Sequence, residues 1–250
     1  MISGMGSFRE YFQGYEDCYT IIGGAACDIL MHDAALNFRA TKDIDMILLI
    51  ENRFEAFAEL FWSYIKAGGY RCGWKSAEKP HFYRFTEPQK SNFPVMIELF
   101  SRRPDFQAER SDIYLTPLPV SDEISSLSAI MLDEDYYKLM LAGRRTVDGI
   151  SVLGAEHLIL FKIKAWLDLT QKKAEDLHVN ERDLKKHKND VFRLFALVDP
   201  TMRIDLTPKV HAEVEQFLAR MEAEGVKLTD LGIQDYTADE VLAGLRMLYI

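Results

Sequence analysis

The sequence predicts an α/β (α+β) protein: a small mixed sheet with flanking helices, followed by a helical C-terminal part. Three observations carry this expectation. Short apolar runs alternate with helically spaced segments over the first third of the chain. Six of the eight prolines lie between Pro80 and Pro119, which suits strands and loops rather than helices. Beyond residue 154 long stretches carry apolar residues at helical spacing. The expected division is therefore residues 1–154 for the α/β core and 155–250 for the helical domain.

The elements follow in order. Phe8–Tyr15 reads as a short helix. Cys18–Ile22 is apolar and β-branched, and it stops at Gly23-Gly24, as a strand entering a tight turn does. Ala25–His32 is helical, with Ala26, Ile29 and Leu30 on one face. Ile44–Ile50 is a buried strand. Phe54, Phe57, Phe61 and Ile65 have helical spacing, and Gly68-Gly69 ends that helix. Tyr70–Trp74, His81–Thr86 and Val95–Phe100 read as strands, with Ile113–Leu118 as a further edge strand. Thr146–Leu153 is a strand with a turn at Asp148-Gly149. Ala155–Leu169 is a strong helix, Gln171–Asn180 a polar loop, and Glu181–Val198 a helix. Two more helices follow, around Pro208–Glu224 and Ala238–Leu248.

Composition excludes several classes. Of the 250 residues 48% are apolar and 12% aromatic, too many for general disorder. The longest apolar runs, Met46–Ile50 and His157–Leu167, fall short of a membrane span, and Lys162 and Lys164 interrupt the second. The N-terminal MISGMGSFRE lacks a signal-peptide pattern. Cys18, Cys27 and Cys72 have no paired spacing, and the six histidines have no ligand spacing. A cytoplasmic protein without membrane partners is expected. The net charge of −9 argues against a broad duplex-binding surface.

The chemistry concentrates in IIGGAACDILMHDAALNFRATKDIDMILLI, residues 21–50. Gly23 and Gly24 let an anion approach the backbone closely. The helix that follows points free N–H groups at it. Asp43 and Asp45, two apart on an extended segment, face one side. Two hard carboxylates so held suit Mg²⁺. In Val95–Phe100, Glu98 is a lone carboxylate in an apolar strand. Beside Ile44–Ile50 it would complete a metal-binding triad. A phosphate cradle next to such a site is what phosphoryl or nucleotidyl transfer requires.

The double glycine, a helix, then R-A-T-K-D-I-D at Arg39–Asp45 and a later carboxylate on its own strand resemble the polymerase-beta-like nucleotidyltransferase superfamily. The chain is most similar to the toxin-type nucleotidyltransferases of abortive-infection, type IV toxin–antitoxin systems. EHLILFKIKAWLDL (Glu156–Leu169) and KNDVFRLFAL (Lys188–Leu197) are similar to that group's Lys-x-x-Ala and Lys-x-Asp helices. The resemblance implies a nucleotidyltransferase-type sheet and a cytoplasmic, ATP-binding or other NTP-using transferase. Two Mg²⁺ ions would be held by Asp43, Asp45 and Glu98, which would also be the catalytic residues. Gly23, Gly24, Arg39, Thr41, Lys162 and Asp190 would form the nucleotide-binding set. Glu98 would help deprotonate the acceptor hydroxyl, and Lys162 would reach the triphosphate. The implied acceptor is an RNA end, a protein or a small molecule, with an antitoxin protein as a further partner.

Three positions depart from the family pattern. Ala25 replaces the usual Ser or Thr after the glycines, and 18 residues separate Gly24 from Asp43. Arg193 stands where a second acid is common. The alternative reading is a catalytically silent nucleotide-binding or interaction module on the same fold. Neither G-x-G-x-x-G nor G-K-[ST] occurs, which disfavours a Rossmann unit and excludes a Walker loop. Charge is uneven along the chain. Residues 162–193 hold nine Lys/Arg and six Asp/Glu, so a short RNA end at this stretch stays compatible with the acidic whole.

Overall fold

A computed structural model describes residues 2–49, 53–73, 82–100, 130 and 133–250. The expected edge strand Ile113–Leu118 lies outside the described residues. The chain divides into two compact units: Met1–Ser121 with Met140–Gly154, and Asp122–Leu139 with Ala155–Ile250.

The first unit is built on a mixed sheet. Its strands are β1 (Tyr19–Ile22), β2 (Asp43–Leu48), β3 (Arg71–Gly73), β4 (Phe82–Thr86), β5 (Met96–Phe100), β6 (Arg144–Val147) and β7 (Ile150–Leu153). They lie in the order β3-β4-β5-β2-β1-β7-β6. The β2–β5 and β1–β7 pairs are parallel, and the other pairs are antiparallel. Helices α1 (Met5–Phe12), α2 (Gly23–Asp33) and α3 (Phe54–Gly68) accompany it.

Alternation along the strands sorts the residues to two faces. Register puts Tyr19, Ile21, Ile44, Met46, Phe85, Ile97 and Leu99 on one face, all buried. That face meets the aromatic side of α1 and α3. Phe12 lies 5.1 Å from Tyr64, Tyr19 lies 6.1 Å from Phe57, and Phe61 lies 5.4 Å from Phe85, measured between ring centroids. Helix α3 ends as its sequence requires. Gly69 takes φ 66°, and the N–H groups of Gly69 and Tyr70 bond back to Lys66 and Ile65.

Three elements differ from expectation. Thr146–Leu153, expected as a strand with a turn at Asp148-Gly149, is a hairpin that turns there and begins earlier, at Arg144. Asp148 and Gly149 both have positive φ there, the geometry of a two-residue turn that reverses the chain. Helix α1 starts at Met5, three residues before the expected Phe8. Helix α4 (Glu134–Ala142) was not anticipated, and the boundary between the units falls inside it. It is only nine residues long, so periodicity alone is a weak signal there.

The second unit contains α5 (Ala155–Ala174), α6 (Glu181–Leu194), α7 (Pro208–Glu224) and α8 (Ala238–Tyr249). Helix α5 is buried on most sides, and Trp166 meets Phe217 of α7 edge-on at 5.2 Å. It runs to Ala174, so the first four of the ten residues of the expected polar loop are helical, their polar side chains lying on the outer face. Helix α6 begins at Asn180, whose side chain accepts from the Arg182 N–H. Past Leu194 it tightens into a 3₁₀ turn, Phe195–Leu197. Helix α8 begins with a full capping box between Thr237 and Glu240. Tyr136 donates to Glu213 at 2.7 Å, and Glu213 also meets Lys164 at 3.2 Å, so a polar chain links α4, α5 and α7. Among the described residues no helix is long and apolar enough to cross a membrane.

Candidate functional site

The second face of the sheet carries the polar residues. Four chain positions, Arg39, Thr41, Asp43 and Asp45, are spaced by two and so tend to one side of an extended segment. Asp43 and Asp45 open β2. Parallel pairing with β5 sets Asp45 opposite Glu98, and Asp43 opposite Met96. Antiparallel pairing with β4 then sets Glu98 opposite Arg84. The result is a row across three strands, Asp45–Glu98–Arg84, with Asp43 one step along the same face.

The double glycine closes over this row. Gly23 has φ 68°, and a Cβ there would sit 1.9 Å from Oδ2 of Asp45. Only glycine allows that approach. A Cβ on Gly24 would sit 2.9 Å from Oγ1 of Thr41 and 3.5 Å from Nη2 of Arg39. The segment before β2 therefore folds back onto the start of α2. Gly23, Gly24, Arg39, Thr41 and Asp45 converge, although up to 22 positions separate them in the chain. Arg39 also lies over the Phe38 ring, 5.0 Å from its centroid.

Burial sets the electrostatics. Asp45 is 9% exposed and Glu98 6%, while Asp43 is half-buried. Asp45 and Glu98 are register partners on neighbouring strands, and the Asp45 side chain acts on the Glu98 carboxyl. Burial pushes the Glu98 carboxyl up, Asp43 adds to the rise, and Arg84 and Asp45 oppose it. Arg84 donates from Nε to Oε1 of Glu98 at 2.5 Å. Arg84 is the residue that the sequence reading missed. It is a lone cation in the strand FYRFT, the same signal that singled out Glu98 in its own strand.

The chemistry of the donors suits a hard divalent cation. Asp43 and Asp45 supply carboxylates on one side of one strand, and Glu98 lies against Asp45. The three are not drawn into a ready cage: among the described residues no group of three Asp, Glu, His or Cys side chains is arranged to hold a metal. The fit is thus to the Asp43–Asp45 pair, with Glu98 tied to Arg84.

The remaining two candidates lie in the helical unit. Lys162 of α5 is 3% exposed, and its Nζ stands 3.1 Å from Oδ2 of Asp190 on α6, which is fully buried. Arg193, one turn along α6, adds a second contact to Asp190 at 3.7 Å. These residues form a buried ion-pair cluster within the helical unit. A separate groove of about 510 Å³ in that unit is lined by Trp166, Lys173, Lys185 and Lys188, with Glu181 and Glu224 paired to two of the lysines.

No protein-family profile matches the chain, and no curated protein is significantly similar to it. Among solved structures it is similar to an antigenic nucleotidyltransferase-like protein from Paracoccidioides brasiliensis. The match has 16% sequence identity and a TM-score of 0.42, and covers 89% of this chain and 87% of that one.

Proposed function

We propose that the first unit is a Mg²⁺-dependent nucleotidyltransferase, moving an NMP from an NTP to an acceptor hydroxyl with release of pyrophosphate. The observation that carries this reading is the close contact of Gly23 with Asp45, in a row where Asp45 faces Glu98 on a parallel strand. An anion cradle and a carboxylate set share one corner of the sheet.

The residues divide the work. Gly23 and Gly24 expose backbone N–H groups at the start of α2, where the helix dipole favours phosphate oxygens. Arg39 and Thr41 add a cation and a hydroxyl beside Gly24. Asp43 and Asp45 hold Mg²⁺, which when bound supplies Lewis-acid stabilisation of the phosphoryl oxygens and orients the in-line displacement. Glu98, with its raised affinity for a proton, is suited to take the proton from the acceptor oxygen. Ala25 leaves the cradle one hydroxyl short of the family pattern.

Incubation of the full chain with each α-labelled NTP, Mg²⁺ and RNA, protein or small-molecule acceptors tests the reading. Label transfer that is lost in Asp45→Asn supports it. No transfer to any acceptor class, or equal transfer by the variant, overturns it. The finer assignment is a toxin of a toxin–antitoxin pair. It predicts growth arrest on expression, relieved by a neighbouring antitoxin gene.

A second reading is favoured by Ala25 together with the Arg84–Glu98 bond: a nucleotide-binding module without turnover. Calorimetry separates the two, because this reading requires NTP binding with no label transfer.

A further inference from the structure

Glu98 and Arg84 are each the lone charged residue of a short strand otherwise free of charge, and register brings them face to face. Both are largely shielded from water, at 8% and 17% side-chain exposure. An ion pair in such surroundings is held far more firmly than one at the surface. The guanidinium also orients the carboxylate, since Nε donates to one of its two oxygens, Oε1.

We propose that Arg84 is a positioning residue that holds Glu98 and competes with a divalent cation for it. The inference rests on the nucleotidyl-transfer reading for its purpose, but not for its test. In the resting chain the cation site is the Asp43–Asp45 pair, and the third carboxylate is kept oriented by a resident guanidinium. Arg84 thereby prevents Asp45 and Glu98 from collecting a metal ion in the absence of nucleotide. It also keeps Glu98 in one rotamer for the acceptor.

Mn²⁺ binding to the full chain without nucleotide, followed by the paramagnetic signal of the free ion, tests this. Arg84→Gln is expected to bind Mn²⁺ about tenfold more tightly or more, because a like charge a few ångströms from the ion is gone. Arg84→Lys, which keeps the charge, stays near the wild-type value. Unchanged or weaker binding by folded Arg84→Gln overturns the proposal. A second arm does not depend on that variant folding. Glu98→Gln is expected to leave Mn²⁺ affinity within about threefold of wild type, while Asp45→Asn loses it. An equal loss in both would mean that Glu98 is already a ligand at rest, and the proposal fails. Turnover is not read in either arm, so failure of nucleotidyl transfer and failure of the Arg84 role remain distinct results.

Discussion

Two buried acid–base groups, one in each unit, follow opposite designs. In the helical unit Asp190 is enclosed and met by two cations, Lys162 and Arg193. In the sheet unit Asp43, Asp45 and Glu98 put three carboxyl groups in one row, with Arg84 paired to Glu98. Desolvation penalises both arrangements. The first answers it with cations from its own helices. The second answers it in part with the Arg84 guanidinium held against Glu98. A buried carboxylate enclosed by cations of its own helices holds a fold together, whereas carboxylates lined up on one sheet face suit a divalent cation.

The sharpest way to break the comparison is Lys162→Met. If the Lys162–Asp190 pair is structural, its loss leaves a buried carboxylate and costs about 3–5 kcal/mol in urea unfolding. The double variant Lys162→Met/Asp190→Leu recovers most of that. An unchanged unfolding midpoint with a raised KM for NTP would instead assign Lys162 to the triphosphate.

The matching change in the sheet unit is Asp45→Asn. Its amide can donate to Glu98 and keep the local packing, so the unfolding midpoint is expected to hold. Label transfer is expected to fall on the order of 10²–10³-fold, as for removal of one electrostatic stabiliser. A collapse of stability with activity per folded molecule intact would erase the distinction between the two groups.

Gly23→Ala probes the approach of the backbone to Asp45. The left-handed backbone alone costs about 1–2 kcal/mol. Gly14→Ala is the control, since Gly14 has φ 82° and nothing within 4 Å of an added Cβ. A larger stability loss in Gly23→Ala than in Gly14→Ala, with transfer lost only in Gly23→Ala, would isolate the contact with Asp45.

The smallest effect is at Asp133, which caps α4 by accepting from the N–H groups of Asp135 and Tyr136. Burial by itself would raise its carboxyl, but Lys209 and those two N–H groups outweigh it and hold the group below the usual carboxylate range. A carboxylate held low in the folded state stabilises above its unfolded pKa, and that gain fades as pH falls through the lowered value. Asp133→Ala is expected to cost about 1 kcal/mol at neutral pH. Urea unfolding of wild type and variant should converge in strongly acidic buffer. A gap that is constant with pH would mean that Asp133 acts through packing alone.

Much of the helical unit was legible because its signals are local. Pro208 opens α7, and Glu224 ends it just before Gly225, as periodicity and turn residues indicate. Gly68-Gly69 marks the end of α3 for the same reason. In the hairpin β6–β7 the turn at Asp148-Gly149 was legible from its residue types, while the start of the first strand at Arg144 was not, because its exposed Arg-Arg pair carries no apolar pattern. The reach of α5 to Ala174 was hidden by a polar outer face, which looks like a loop when its neighbours are unknown.

The sequence by itself determined the residue types of the candidate site: a double glycine after an apolar strand, carboxylates two apart, a lone Glu98. Spacing of two is a local property, so the shared side of Asp43 and Asp45 follows from strand geometry alone. Tertiary structure alone decided which residues meet. Strand order placed Glu98 beside Asp45 and Arg84 beside Glu98, and the folded loop set Thr41 against Gly24. Long-range pairing leaves no periodic trace in one chain. Register is fixed by which faces must be buried, and that depends on the whole sheet.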